Sequence, residues 1–275
     1  MKIAIIGCGY VGTAIARRWS RDGHTVTATT TTPSRLPELE QIAGRGAIAK
    51  GNDLDALQEV LSGQDAVLFC AGSRSPAHYE ETYLDAANTL VEALKQSPTV
   101  KQVIYTSSYS VYGNQEGKWV SENSEIVEGG EKDRILYETE RVLLAAITPH
   151  RRVCVFRLGG IYGPGRGLDR IFGRLAGTTR PGTGEYFTNW IHLEDIVGAL
   201  EFAREKSLQG LYNLVCDVPV MGRELIDAVC DRYNFAKVSW DPAAPETRSL
   251  NVRVSNEKLK AEGFEFVRPE VLPIS

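Results

Sequence analysis

Residues Lys2 to Gly12, Lys-Ile-Ala-Ile-Ile-Gly-Cys-Gly-Tyr-Val-Gly, constrain the fold more than any other stretch of the chain. Ile3 to Ile6 is a short continuous apolar run, the pattern of a strand buried on both faces of a parallel sheet. Gly7, Gly9 and Gly12 follow as G-x-G-x-x-G, and Val11, Ala14, Ile15 and Trp19 then recur at helical spacing. Strand, glycine turn and amphipathic helix in that order are the context in which this motif binds a dinucleotide. Each glycine has its own reason: Gly7 makes the tight turn, Gly9 lets a diphosphate approach the backbone, and Gly12 lets helix pack on strand. The N–H groups of Tyr10 and Val11 and the positive end of the helix dipole complete the expected phosphate cradle.

The second apolar run, Thr25 to Thr29, follows a Gly23-His24 turn and predicts the next parallel strand. An NAD site places an acid at its end, about 20 residues after the glycines, to hold the ribose 2′-hydroxyl. From Thr25 to Arg35 there is no acid. Thr29 to Thr32 (Thr30 among them), Ser34 and Arg35 offer hydroxyls and a guanidinium, which suit a 2′-phosphate. The expectation is NADP(H) in preference to NAD(H), which stays possible; a threonine-rich strand end with a helix cap at Ser34 is the plain structural reading. A weak third strand over Ala47 to Ala49 precedes Asp53, counted with the cofactor residues, and a helix over Leu54 to Leu61. Asp65 to Gly72 predicts a fourth strand whose small tip, Ala71 and Gly72, would lie beneath the cofactor. A helix over Tyr83 to Leu94 and strands over Val100 to Ser107 and Val153 to Leu158 continue the alternation. The expected fold is α/β, a Rossmann doubly wound parallel sheet with a small C-terminal substrate-binding domain. The expected division is 1–164 with about 190–217 as the NAD(P)-binding domain, and about 165–189 with 218–275 as the substrate-binding portion.

Composition narrows the function classes. Lys+Arg 31 against Asp+Glu 35 gives a net charge of -4, without a basic stripe for nucleic acid. No apolar run is long enough to span a bilayer, and the N-terminal one is too short for a signal peptide, so a cytoplasmic protein is expected. Five cysteines without C-x-x-C spacing read as reduced and buried, Cys8 and Cys70 included, and the four scattered histidines make no metal constellation.

Four later segments carry a family resemblance. Thr106-Ser107-Ser108-Tyr109-Ser110-Val111-Tyr112-Gly113, Arg157-Leu158-Gly159-Gly160-Ile161-Tyr162-Gly163-Pro164-Gly165, Asn189-Trp190-Ile191-His192-Leu193-Glu194-Asp195-Ile196 and Tyr212-Asn213, taken with the glycine turn, resemble in order the signature segments of extended short-chain dehydrogenase/reductases. The chain resembles a short, atypical member of the NAD-dependent epimerase/dehydratase group, from Met1 to about Val215. The resemblance implies a serine, a tyrosine and a lysine around a nicotinamide: tyrosinate as acid/base, lysine lowering its pKa, serine holding the same oxygen. Ser108 matches the serine.

The Tyr-x-x-x-Lys element departs from the pattern, and two registers are open. Tyr137 with Arg141 keeps the spacing with arginine for lysine; Arg141 could stabilise a phenolate but not release a proton. Alternatively Glu140, ahead of Val142-Leu143-Leu144, matches a glutamate that relatives carry four residues after the lysine. That register puts Leu136 at the lysine position and Lys132 at the tyrosine position. The asparagine that relatives often carry on the preceding helix is not in its place, where Tyr83 stands; Asp85 or Asn88 could substitute. Arg166, with Arg170, Arg174 and Arg180, invites an anionic substrate or is a solvated arginine face, and Asn189 and His192 are expected near the substrate, His192 as a structural residue first. The expected function is an NADP(H)-dependent oxidoreductase or epimerase-like enzyme acting on a small carbonyl or sugar-like substrate. A homodimer is the family habit. The alternative is a non-catalytic NADP(H) sensor with a degenerate site.

Overall fold

The computed structural model of the chain describes residues 1–273 apart from 74, 128 and 247–249. Its strands β1 (Lys2–Ile6), β2 (Thr25–Thr30), β3 (Gly44–Ile48), β4 (Ala66–Phe69) and β5 (Gln102–Ser108) alternate with helices α1 (Tyr10–Arg21), α2 (Leu36–Ala43), α3 (Leu54–Leu61) and α4 (Ala86–Lys95), and α5 (Glu131–Leu144) follows β5. With strands Arg152–Leu158 and Gly210–Leu214 they build a seven-stranded sheet, in which β3, β2, β1, β4 and β5 lie side by side in that order and the two later strands follow. Pairing from β3 through β5 is parallel throughout. The order reverses between β1 and β4, the switch point at which open α/β sheets bind ligands beyond the strands' carboxyl ends.

Local chemistry explains the elements. The four residues of β4 are all buried, as are Ile3 to Ile6 of β1, so these runs are apolar rather than alternating. α1 buries Val11, Ile15, Ala16 and Trp19 and closes with Arg18 and Arg21 in its last turn, favourable to the dipole. The Trp19 indole N–H donates to Glu201 Oε2 at 2.6 Å, and Arg204 donates to the same carboxylate at 2.6 and 2.8 Å. Ile6, Leu57, Leu61, Phe69, Leu90, Leu94, Tyr105 and Leu143 share one core between sheet and helices.

Two elements differ locally from the sequence reading. The helix that a cap at Ser34 implies is α2, but Ser34 lies in the 3-10 turn Pro33–Arg35 before it rather than capping it. The helix expected from Tyr83 opens as a wide turn with π-type hydrogen bonding, Glu81–Asp85, and becomes regular at Ala86. The compact units also divide the chain elsewhere. One comprises Met1–Ser107, Gly130–Phe156 and Val197–Leu211; the other comprises Ser108–Gly129, Arg157–Ile196 and Tyr212–Ser275. Residues 108–129, 157–164, 190–196 and 212–217, expected with the sheet, thus fall in the second unit.

The second unit is held by short strand pairs: Gly160–Tyr162 parallel to Trp190–His192, Phe187–Thr188 antiparallel to Val220–Met221, Thr179–Pro181 parallel to Ser239–Asp241 and Trp119–Val120 parallel to Arg253–Val254. Helix Gly222–Tyr233, directly after the strand Val220–Met221, buries Leu225, Ile226 and Val229.

Candidate functional site

The structure gives Gly7 the tight turn and Gly12 the close packing expected of them. Gly7 has φ +87°, and a Cβ there would fall 2.5 Å from the Ala71 Cα, so only glycine fits where the turn meets the tip of β4. A Cβ at Gly12 would lie 2.9 Å from the Gly7 carbonyl oxygen and 3.0 Å from Cys70 Sγ, which makes this the close helix-on-strand contact. Around Gly9 no atom lies within 4 Å of such a Cβ, so the backbone is open to a ligand. α1 begins there with no side-chain cap and no acid in its first turn. An uncapped helix start with an open approach attracts an anion.

Thr29, at the end of β2, fixes this turn: its hydroxyl accepts the Gly7 N–H at 3.1 Å and its carbonyl accepts the Cys8 N–H at 3.0 Å. Sequence reasoning noticed the threonine run but gave Thr29 no such role. Thr30 is buried, and its hydroxyl accepts the Thr32 N–H. The Arg35 guanidinium reaches back to the turn and donates from Nη1 to the Cys8 carbonyl at 2.8 Å, while Nε pairs with Glu38 at 3.2 Å. Thus the turn, the end of β2 and a partly exposed cation share one place. Tyr10 is half-buried and Val11 buried at the helix start, and Gly72 is open beyond β4. Asp53 caps α3, accepting the Ala56 N–H at 3.0 Å, so its carboxylate has a structural use. Cys70 Sγ contacts the Gly7 carbonyl at 3.1 Å, and burial pushes its thiol well up; Cys8 is likewise buried and raised. Neither is a nucleophile in that state.

On α5 the burial pattern matches the second register. Glu140 is 1% exposed and accepts the Ser107 hydroxyl at 2.6 Å, whereas Leu136, at the lysine position, is packed in the core. Lys132, at the tyrosine position, sits with its ammonium 5.7 Å from the centre of the Tyr79 ring. Tyr137 is half-buried, and its hydroxyl makes no hydrogen bond among the described residues. Arg141 lies at the surface, bound to both carboxylate oxygens of Glu138 at 3.1 Å. Ser108 accepts the Ser110 N–H at 3.2 Å and so caps the turn Tyr109–Tyr112.

The second unit turns most of its motif residues to structure. Tyr112, fully buried, donates its hydroxyl to Asn213 Oδ1 at 2.8 Å, beneath the Arg157 guanidinium 4.6 Å from its ring centre. Asn213 donates from Nδ2 to the Ser255 carbonyl and from its backbone to Glu122. The buried Asn189 amide clamps a neighbouring segment: Nδ2 donates to the Val252 carbonyl and Oδ1 accepts the Val254 N–H, both at 2.9 Å. His192 has the structural role, with Nδ1 accepting the Glu194 N–H at 3.2 Å and its ring edge-on to Tyr162; burial lowers its pKa. Arg166 is exposed in the turn that it closes with Gly163. Among the described residues no group of three His, Cys, Asp or Glu side chains gathers as metal ligands, and no helix is long and apolar enough to cross a membrane.

Comparison with known proteins places this geometry. The chain is 32% identical to protein YeeZ of Escherichia coli K12 over 225 residues, 78% of this chain and 77% of that one. Its fold matches human epimerase family protein SDR39U1, solved with NADPH, at TM-score 0.79 and 20% identity over 98% of this chain and 96% of that one. It also matches Thermus thermophilus UDP-glucose 4-epimerase, solved with NAD, at TM-score 0.79 and 20% identity over 96% and 94%. The model of the NAD dependent epimerase/dehydratase family matches residues 3–214. The chain therefore belongs to the NAD dependent epimerase/dehydratase family.

Proposed function

We propose that this protein is an NADP(H)-dependent oxidoreductase or epimerase-like enzyme acting on a small carbonyl or sugar-like substrate. The observation that carries the coenzyme preference is the Arg35 guanidinium, 2.8 Å from the Cys8 carbonyl, at a strand end that bears no acid. The amides of the Gly7–Gly12 turn would hold the diphosphate, and Arg35 with the Thr31 and Thr32 hydroxyls would hold the 2′-phosphate, Thr30 being buried with its hydroxyl on the Thr32 N–H. The open backbone at Gly9 and the uncapped start of α1 fit such a group. NADPH in the human relative's structure supports the preference, and NAD in the Thermus thermophilus enzyme shows that the fold class accepts either.

When bound, the nicotinamide supplies or takes a hydride; the chain must orient the substrate and move a proton. Ser108 and Tyr137 are the positions that the family pattern offers for the reacting oxygen. A cytoplasmic location and a homodimer through α4 and α5 belong to the same proposal. The second reading, a coenzyme sensor without turnover, is favoured by one observation, the burial of Leu136 where relatives carry the lysine.

Calorimetry with NADPH and NADH, followed by reduced-nicotinamide absorbance across a panel of aldehydes, ketones and nucleotide sugars, tests the proposal. Tighter binding of NADPH with turnover of any panel member supports the enzyme. Tighter binding of NADH overturns the preference. Tight binding with silence across the panel favours the sensor.

A further inference from the structure

The second register leaves α5 without its tyrosine and lysine, yet a pair of phenols and an ammonium gather beside it in the same compact unit. Tyr83 projects from the wide turn Glu81–Asp85, a departure from regular helix of the kind often found at functional sites. Its hydroxyl accepts the Ser73 backbone N–H at 3.3 Å. Ser73 follows Ala71 and Gly72 at the carboxyl end of β4, and Ala71 abuts Gly7 of the coenzyme turn. In an open parallel sheet that end borders the ligand crevice. Because the Tyr83 oxygen accepts from an amide, its own proton is left to give, and no acceptor takes it among the described residues.

The surroundings hold this phenol in place. The Tyr79 ring packs against Tyr83 with centroids 4.6 Å apart, and Lys132 from α5 lies over the far ring. Burial pushes the Tyr79 phenol well up, and the Asp133 carboxylate adds to it. On the inner side stand Tyr105, fully buried, and the Ser107–Glu140 pair. Burial first, then the Glu140 carboxylate, keeps Tyr105 protonated. Tyr79 and Tyr105 are thus held as neutral phenols.

We propose that Tyr83, rather than Tyr137, is the proton donor and acceptor toward the substrate oxygen, since in the second register α5 carries neither group at the family's tyrosine and lysine positions. The inference deepens the proposed function and rests on its nicotinamide reading. In the reductive direction the carbonyl carbon gains a hydride with its electron pair from the reduced coenzyme, while the Tyr83 O–H bond breaks and its proton forms the new alcohol O–H. The phenolate then takes a proton from water, and the oxidative direction reverses each step. Tyr79 and Lys132 position the ring and make no bond to substrate.

The test uses the full chain with NADP+ or NAD+, whichever calorimetry shows to bind, and needs no substrate. The oxidised nicotinamide ring is cationic, so a phenol beside it ionises more readily once the coenzyme is bound. Phenolate formation is followed by ultraviolet difference absorbance between about pH 8 and 11. One phenol in the wild type should move its midpoint down by about one to two pH units at saturation. The shift should persist in Tyr137→Phe and vanish in Tyr83→Phe, with coenzyme affinity within about threefold of wild type in both. A shift that survives Tyr83→Phe, or vanishes in Tyr137→Phe, or is absent from the saturated wild type overturns the assignment while leaving the coenzyme reading intact. Failure of both coenzymes to bind overturns the two together. Should Tyr83→Phe not fold, ring-labelled tyrosine NMR of the wild type, with each ring assigned by through-bond correlation to its own backbone, reads the same shift at Tyr83 or refutes it.

Discussion

Replacing Arg35 by alanine separates two contributions that the native side chain combines. The guanidinium donates to the Cys8 carbonyl at 2.8 Å, so its removal loosens the glycine turn whichever coenzyme is present. A hydrogen bond of this sort contributes about 1 kcal/mol, so both affinities should fall by at most about fivefold. Only NADP(H) carries the 2′-phosphate. A charge-assisted bond to it is worth about 1.5 to 3 kcal/mol, and the side chain's 29% exposure argues for the lower half of that range. The expected further loss for NADPH is about 10- to 30-fold, with none for NADH. Parallel calorimetric titrations of wild type and Arg35→Ala with the two coenzymes, at one fixed salt concentration, measure the ratio. Raising the ionic strength should shrink the wild-type preference, since the cation is partly exposed. Equal losses for NADPH and NADH would refute the reasoning, because they would leave Arg35 as a brace of the turn and no reader of the 2′-phosphate.

Other perturbations distinguish structure from site. Gly7→Ala should lower the melting temperature strongly and abolish coenzyme binding, since its Cβ would meet the Ala71 backbone at 2.5 Å with φ at +87°. Asn189→Ala should cost about 2 to 4 kcal/mol in denaturant unfolding, because it strands the Val252 carbonyl and the Val254 N–H in the interior. Its coenzyme affinity should be unchanged if the residue is the structural clamp described. Glu201 is held below the usual carboxylate range by Arg204 and, more weakly, by the Trp19 indole, so ionised Glu201 stabilises the fold above about pH 4.3, the unfolded value. That stabilisation is lost as pH falls through the lowered native pKa. The stability gap between wild type and Glu201→Gln, measured by urea unfolding, should therefore be full above about pH 5.5 and close in acid; a gap independent of pH would contradict the ion pair.

Much of the sheet was legible because buried parallel strands are written as apolar runs and glycine turns have few physical readings. Ile3 to Ile6, the helix Leu54–Leu61 and the roles of Gly7, Gly9 and Gly12 all come from local constraints. What stayed hidden depends on contacts distant in sequence. Nothing near Asn189 reveals that residues 252 and 254 consume its amide, and nothing near Tyr112 points to Asn213, 101 positions later. Glu140 illustrates the boundary. The sequence leaves two registers for α5, and only the burial of that carboxylate against Ser107 favours one of them. Tyr83 could be seen to stand in an asparagine's place, but its bond to the Ser73 amide required the path of the chain beyond β4.

The central claim is that the amide turn between β1 and α1 grips a diphosphate, with Arg35 beside the adenosine ribose. A crystal structure of the protein grown with NADPH tests it most directly. The account predicts the diphosphate oxygens within hydrogen-bond distance of the Gly9–Gly12 amides and the 2′-phosphate against Arg35. Crystals that hold the coenzyme elsewhere, or that exclude it at millimolar concentration while the turn keeps the geometry described, would contradict it.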